Sequence, residues 1–197
     1  MSKPSTVGAS TGAPITDVDT LFATLAGAAG LDDDEDVDLL AHALQCATLL
    51  AIDAPDDPEL QVAGLVHDLG TVLEPGRPAT HAATGAAAVA GLLGPRVATL
   101  VRGHDTAKRY LVATDAGYRD RLSEVSITTL AAQGGPLSRS EIETFERNAE
   151  AATLLVLRRA DDAAKVPGAS IRPLLDWRPA VEALASAATA RGRPAAP

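Results

Sequence analysis

From Asp17 to Ala188 the chain is a string of Ala- and Leu-rich segments of helical length, each closed by Gly, Pro or a short polar turn. This punctuation constrains the fold more than any other feature. Ala and Leu are strong helix formers, while the residues that favour strands are thin: Phe, Trp and Tyr together make 3% of the chain. The expected fold is therefore all-α, a helical bundle. A length of 197 residues fits one domain and suffices to bury a core without disulfides or structural metals.

The punctuation places the helices. Asp17 caps an expected helix over 18–29, ending at Gly30. The acidic run from Asp32 to Asp36 precedes an apolar stretch through Ile52, and acidic groups at a helix start complement its dipole. Glu59 to Leu69 reads as a short helix stopped by Gly70, followed by the loop TVLEPGRPAT. Thr80 is expected to cap a helix from His81 to Leu93, closed by Gly94-Pro95, with another from Arg96 to Ala113. Tyr118 to Ala132 is helical with a turn near Ser123, and QGGP is a loop. Ser138 and Glu141 have capping-box spacing and open a helix that breaks near Asn148 and runs to about Lys165. A last helix covers Pro179 to Ala188. Residues 1–16 and 189–197 are expected to be disordered flanks of a single domain over 17–188.

Seventeen basic against 26 acidic residues give a net charge of −9, which argues against nucleic acid or an anionic membrane as partner. An anionic small substrate remains compatible, given a local basic pocket. The single cysteine, Cys46, forbids an intramolecular disulfide and reads as a small buried hydrophobe in a cytoplasmic protein. No leader is expected, because the N-terminus lacks an apolar core, and no apolar run approaches transmembrane length.

The chemistry-bearing signal lies in the four histidines. His42 sits in LLAHALQCATLLA, His67 in LQVAGLVHDLG, His81 at a helix start and His104 in VATLVRGHDTAKRYL. One histidine on an apolar face is ordinarily a hydrogen-bonded core residue, and an isolated His-Asp dipeptide carries little. The ordered series His42, His67-Asp68, His81, His104, Asp161, spread over successive helical segments, is far more specific. Imidazoles and carboxylates together suit iron or manganese, and one carboxylate can bridge two cations.

These residues carry a resemblance to the HD-domain superfamily, and within it to the mixed-valent diiron oxygenases of organophosphonate breakdown, relatives of myo-inositol oxygenase. The resembling segments are HALQCATL (42–49), LVHDLG (65–70), HAATGAAAVAGLLGPRVATLVRGH (81–104), AKRYLVAT (107–114), LAAQGGPLS (130–138) and LRRADDAAKVPG (157–168). The resemblance implies two iron ions with O2 as cosubstrate. His42, His67, Asp68 and Asp161 would hold one iron; Asp68 would be shared with the second, which His81 and His104 complete. It makes Asp68, His81 and His104 catalytic and gives Asp162 an outer role. It places Lys108, Ser126, Gln133 and Arg158 around a phosphonate. Lys108 and Arg158 share helix faces with His104 and Asp161, which agrees with a cation pair in a dry pocket. Without that phasing both would read as solvated surface charge.

The implied reaction cleaves the carbon–phosphorus bond of a 1-hydroxyphosphonate, such as 2-amino-1-hydroxyethylphosphonate or a close analogue, to phosphate and a carboxylic acid. The alternative is an HD-type phosphohydrolase acting on a small phosphate ester or nucleotide. One departure concerns the substrate. Relatives carry a gating Tyr where Asp32 stands here, while Glu35 falls at the spacing of a Glu that holds a substrate amine. Glu35 equally reads as one of five acids compensating a helix dipole. The protein is expected to be a monomer or small homo-oligomer.

Overall fold

The computed structural model describes residues 13–31 and 36–192. Among them are helices and no strand, in agreement with the all-α reading. In chain order these are α1 (Val18–Ala26), α2 (Leu39–Asp53), α3 (Pro58–Val66), α4 (Leu69–Leu73), α5 (His81–Leu93), α6 (Pro95–Thr114), α7 (Glu124–Ala132), α8 (Arg139–Glu146), α9 (Ala151–Ala163) and α10 (Arg178–Gly192). Short 3-10 turns lie at Arg119–Arg121 and Leu174–Trp177.

Local chemistry starts most of these helices. Asp17, Asp38, Asp57 and Ser123 each accept a hydrogen bond from the backbone N–H three residues on, meeting donors that a helix start leaves unpaired. Ser138 and Glu141 form a reciprocal capping box. Around the core, α3 packs against α2, α6, α9 and α10, while α5 lies on both α4 and α6. Leu50, Leu65, Leu93, Leu100, Leu154 and Leu157 fill the interior, with Trp177 buried beside them. At one end Arg96 clamps three elements: it donates to Asp57 at 2.7 and 2.8 Å and to Glu150 at 2.8 Å.

Several boundaries differ from the sequence reading. Gly70 does not stop a helix. The chain bends at His67-Asp68 and resumes as α4, with Gly70 inside it. A Cβ on Gly70 would stand 1.9 Å from the carbonyl oxygen of His81, so this glycine serves close approach, not termination. Thr80 occupies the residue before α5, but its side chain caps nothing and leans back to the Arg77 carbonyl at 3.5 Å. The first helix closes at Ala26, with a turn through Gly30. Ile15 is buried and its N–H donates to the Ala88 carbonyl at 2.9 Å, so chain before Asp17 already packs on the bundle. At the other end α10 extends to Gly192, past the expected limit at Ala188. The remaining flanks, 1–12 and 193–197, lie outside the described residues.

Candidate metal centre

Two close helix contacts and one chain bend assemble the site. Gly64 on α3 faces α2 so tightly that an added Cβ would lie 2.4 Å from Leu50 Cδ1 and 3.2 Å from Cys46 Sγ. That approach brings His67, at the end of α3, to His42 on α2. Gly70 does the same for α4 against the start of α5, which carries His81. Asp68 sits in the bend between α3 and α4, and His104 enters from the middle of α6.

The result is two groups of side chains able to hold a metal ion, side by side. His42, His67 and Asp161 form one; Asp68, His81 and His104 form the other, with the ligand atoms of each group within 4.8 Å of one another. The four imidazoles are arranged alike. Each Nδ1 lies against a backbone carbonyl: His42 on Ala164 at 3.0 Å, His67 on Gly64 at 2.8 Å, His81 on Pro78 at 2.8 Å and His104 on Val101 at 2.6 Å. A carbonyl only accepts, so each Nδ1 carries a proton and each Nε2 is left to face the site. Those Nε2 atoms face each other, 3.1 Å apart between His42 and His67 and 3.1 Å between His81 and His104. Two imidazole nitrogens at that separation need a proton or a metal ion between them. The donor set and its tautomers thus fit one metal ion in each group.

Asp68 joins the groups. Its Oδ2 is 3.5 Å from His42 Nε2 and 3.3 Å from His67 Nε2, while its Oδ1 is 3.3 Å from His81 Nε2 and 3.5 Å from His104 Nε2. One carboxylate thus offers an oxygen to each side. Asp161 Oδ1 completes the first group at 3.3 Å from His42 and 3.8 Å from His67. The electrostatics favour positive charge here. Burial opposes ionisation of Asp68 and Asp161, but the charge of His67, with Arg158 acting on Asp161, outweighs it and holds both carboxyls well below the usual range. Burial likewise opposes protonation of His67 and His81, yet Asp68 overcomes it, raising His67 well above its ordinary value and His81 to about 9. Cys46 plays no part: its thiol is buried and pushed up to about 12, so it stays a protonated hydrophobe.

A cavity of about 340 Å³ opens on these groups. Lys108, Ser126, Gln133 and Arg158, the four residues the resemblance placed around a phosphonate, all line it, as do Arg77, Asp105, Thr129 and Lys165. A chain of net charge −9 thus keeps four cationic side chains at one mouth. Lys108 Nζ donates to Thr129 Oγ1 at 2.9 Å, and burial together with the neighbouring Arg158 lowers it to about 8. Arg158 is heavily engaged: Nη1 donates to Asp161 Oδ2 at 2.7 Å, Nε to the Tyr118 hydroxyl at 2.9 Å and Nη2 to Asp162. It holds Asp161 in place as well as facing the cavity. Asp162 turns away from the metal groups and accepts from Tyr118 and Arg158. Gln133 donates to Asp105 Oδ1 at 2.8 Å, and its carbonyl oxygen is buried without a partner. Glu35 and Asp32 lie outside the described residues.

Three participants escaped the sequence reading. Asp105 stands within 3.4 Å of His104 Nε2, and its signal was present as a second His-Asp dipeptide in RGHDTAK. Lys165 donates to Ser123 and Ser126 at 3.1 and 3.2 Å from within the LRRADDAAK block. Tyr118, in a turn of low regularity, carried no local signal for its bond to Arg158.

Residues 39–155, more than half of the chain, match the HD domain family. The chain belongs to the HD-domain family. Among curated proteins it is 35% identical over 158 residues to hydroxymethylphosphonate dioxygenase of Gimesia maris, covering 76% of this chain and 78% of that protein. It is 33% identical over 139 residues to [1-hydroxy-2-(trimethylamino)ethyl]phosphonate dioxygenase (glycine-betaine-forming) of Leisingera caerulea, covering 66% of this chain and 70% of the relative. This HD-domain protein is accordingly an oxygen-using oxidoreductase of the branch to which those dioxygenases belong. No helix among its described residues is long and apolar enough to cross a membrane.

Proposed function

We propose that this protein is a diiron dioxygenase that cleaves the carbon–phosphorus bond of a 1-hydroxyphosphonate oxidatively, releasing phosphate and a carboxylic acid. The observation that carries this reading is Asp68, which turns one oxygen to each of two histidine pairs at the floor of a cation-lined cavity. The substrates in the two relatives' names share a hydroxyl on the carbon that bears the phosphonate, and differ only beyond that carbon. The common part matches what the cavity offers.

When bound, the irons supply the activation of dioxygen and the acceptance of electrons that the oxidation requires. The residues then divide the remaining work. His42, His67 and Asp161 would hold one ion, His81 and His104 the other, and Asp68 would be shared between them. Lys108 supplies a compact charge for the phosphonate, deep in the cavity where water screens it little. Ser126 and Gln133 add neutral groups beside it. Arg158 combines the phosphonate's second cation with the fixing of Asp161. In the balanced reaction the C–P bond breaks, the hydroxyl-bearing carbon is oxidised to a carboxylic acid, and one O2 is reduced as both of its atoms enter the products. Glu35 is assigned to the substrate's far end, as partner of an amine in a substrate such as 2-amino-1-hydroxyethylphosphonate; Glu35→Gln should then penalise only aminated substrates.

The test is oxygen consumption and phosphate release by iron-loaded protein given 1-hydroxyphosphonates, with and without a 2-amino group. Equal amounts of O2 consumed and phosphate formed are expected, and neither without oxygen. Phosphate-ester hydrolysis by manganese- or magnesium-loaded protein under anaerobic conditions, with no oxidation of any phosphonate, would refute the assignment.

A further inference from the structure

Arg158 lines the cavity over the two histidine pairs, yet the groups that fix its direction lie behind it. Its side chain is buried and stands between two carboxylates, Asp161 and Asp162. Their charges offset its own, so what it offers a phosphonate is the direction of its N–H groups more than unbalanced charge. Nη1 donates to Asp161 Oδ2 at 2.7 Å, Nη2 to Asp162 Oδ1 and Nε to the Tyr118 hydroxyl at 2.9 Å. A guanidinium carries five N–H groups, so one remains on each terminal nitrogen. Tyr118 closes the arrangement into a triangle. Its hydroxyl has one proton, Arg158 only donates and the Asp162 carboxylate only accepts. The proton therefore goes to Asp162 Oδ2, and a hydroxyl lone pair receives the Arg158 Nε–H. Burial raises the hydroxyl above its ordinary value, which keeps that proton in place.

We propose that Tyr118 is a positioning residue for substrate binding, holding the Arg158 guanidinium in the plane that presents its remaining N–H groups to the phosphonate. This rests on the reading above that sets Arg158 against that group. Tyr118 does not line the cavity over the histidines. With Asp162 it borders a separate one of about 420 Å³, so it reaches the substrate only through Arg158. Two anchored edges fix a planar group: Tyr118 and Asp162 take Nε and Nη2, while Asp161 takes Nη1. The Asp161 contact alone would leave the plane free to turn about that bond. Tyr118 is itself well held. It is buried in the turn after α6, its N–H donates to the Asp115 carbonyl at 3.1 Å, and its carbonyl accepts from the Arg121 N–H at 3.1 Å. The Arg121 guanidinium lies over its ring, 5.7 Å from the centroid.

Anaerobic calorimetry of 2-amino-1-hydroxyethylphosphonate and its amine-free counterpart binding to iron-loaded protein tests this. It reads Kd without turnover, so it stands even if the oxidation assigned above fails. Tyr118→Phe removes one oxygen atom and keeps the ring. It should weaken binding of both compounds by ~5–20-fold, the scale of a lost hydrogen bond to a charged group, with iron content unchanged. Arg158→Lys keeps a charge between the two aspartates but lacks the Nε–H and the planar fork, and should weaken binding at least as much. In that background Tyr118→Phe should add less than about twofold, because nothing is left for the hydroxyl to position. An unchanged Kd in Tyr118→Phe, with or without a fall in melting temperature, would overturn the proposal, as would effects that add in full in the double variant. Wild-type protein that binds neither compound, or Arg158→Lys protein that binds as tightly as wild type, would remove Arg158 from the phosphonate and the role of Tyr118 with it. Should Tyr118→Phe not fold, Asp162→Asn opens the same triangle at another corner and must weaken binding in the same assay.

Discussion

Replacing Gly70 by alanine should damage both the fold and the metal centre, and the size of the effect follows from one contact. A Cβ at Gly70 falls 1.9 Å from the carbonyl oxygen of His81, 2.6 Å from its carbonyl carbon and 2.8 Å from its Cα. All three are backbone atoms, so no rotamer change relieves the clash. To restore even 3.0 Å, α4 and the start of α5 must separate by roughly 1 Å. Overpacking of this kind costs ~1–3 kcal/mol. Alanine's better helix propensity, worth ~1 kcal/mol, offsets part of that. The same displacement carries His81 away from Asp68 Oδ1, now 3.3 Å distant, and from His104 Nε2 at 3.1 Å. A shift near 1 Å can cost on the order of 100-fold in activity. Gly91 in α5 is the built-in comparison: nothing lies within 4 Å of its added Cβ, so Gly91→Ala should stabilise by ~0.5–1 kcal/mol. Urea denaturation followed by circular dichroism, together with metal titration of each variant, reads both effects. Equal stabilisation by the two substitutions, with metal uptake unchanged in Gly70→Ala, would refute the argument that helix contact at Gly70 positions the site.

Further outcomes are expected. Asp68→Ala should lower metal content below two ions per chain, because both groups lose the carboxylate they share; retention of two ions, measured by elemental analysis, would exclude Asp68 as the bridge. Lys108→Ala should raise KM for a phosphonate by the equivalent of ~2–5 kcal/mol. Because burial lowers Lys108 to about 8, the wild-type ammonium is present below that pH and lost above it. KM should therefore climb as pH passes 8, and a pH-independent KM from 7 to 9.5 would remove Lys108 from substrate binding. Arg96 lowers Asp57 and Glu150 below their usual ranges, so their contribution to stability is present above about pH 4 and is lost as pH falls through their folded values. Melting temperatures of Arg96→Met between pH 3 and 7 should show a flatter acid limb than wild type; parallel curves would mean the clamp contributes nothing.

The sequence by itself determined the fold class, most of the helices and the ordered series of histidines and carboxylates from which the candidate site is built. Helix starts are local events: Asp17, Asp57, Ser123 and Ser138 cap with atoms three residues away, and an apolar period of 3.6 is written in one dimension. The series His42, His67, Asp68, His81, His104 and Asp161 was legible because donors of that chemistry rarely recur, in that order, on apolar helices. Tertiary structure alone decided the rest, since the deciding distances join residues far apart in the chain. Gly70 looks like a stop in one dimension, and its real role exists only once α5 lies against it. Arg158 is phased correctly with Asp161 by local rules, but its engagement by Tyr118, 40 residues away, is not local. Asp105 carried the same dipeptide signal as Asp68. Its place beside the His81–His104 pair, with Gln133 holding it from 28 residues away, depends on how α5, α6 and the end of α7 meet. Pattern and capping select helices; only packing brings their side chains within the few ångströms at which coordination and charge act.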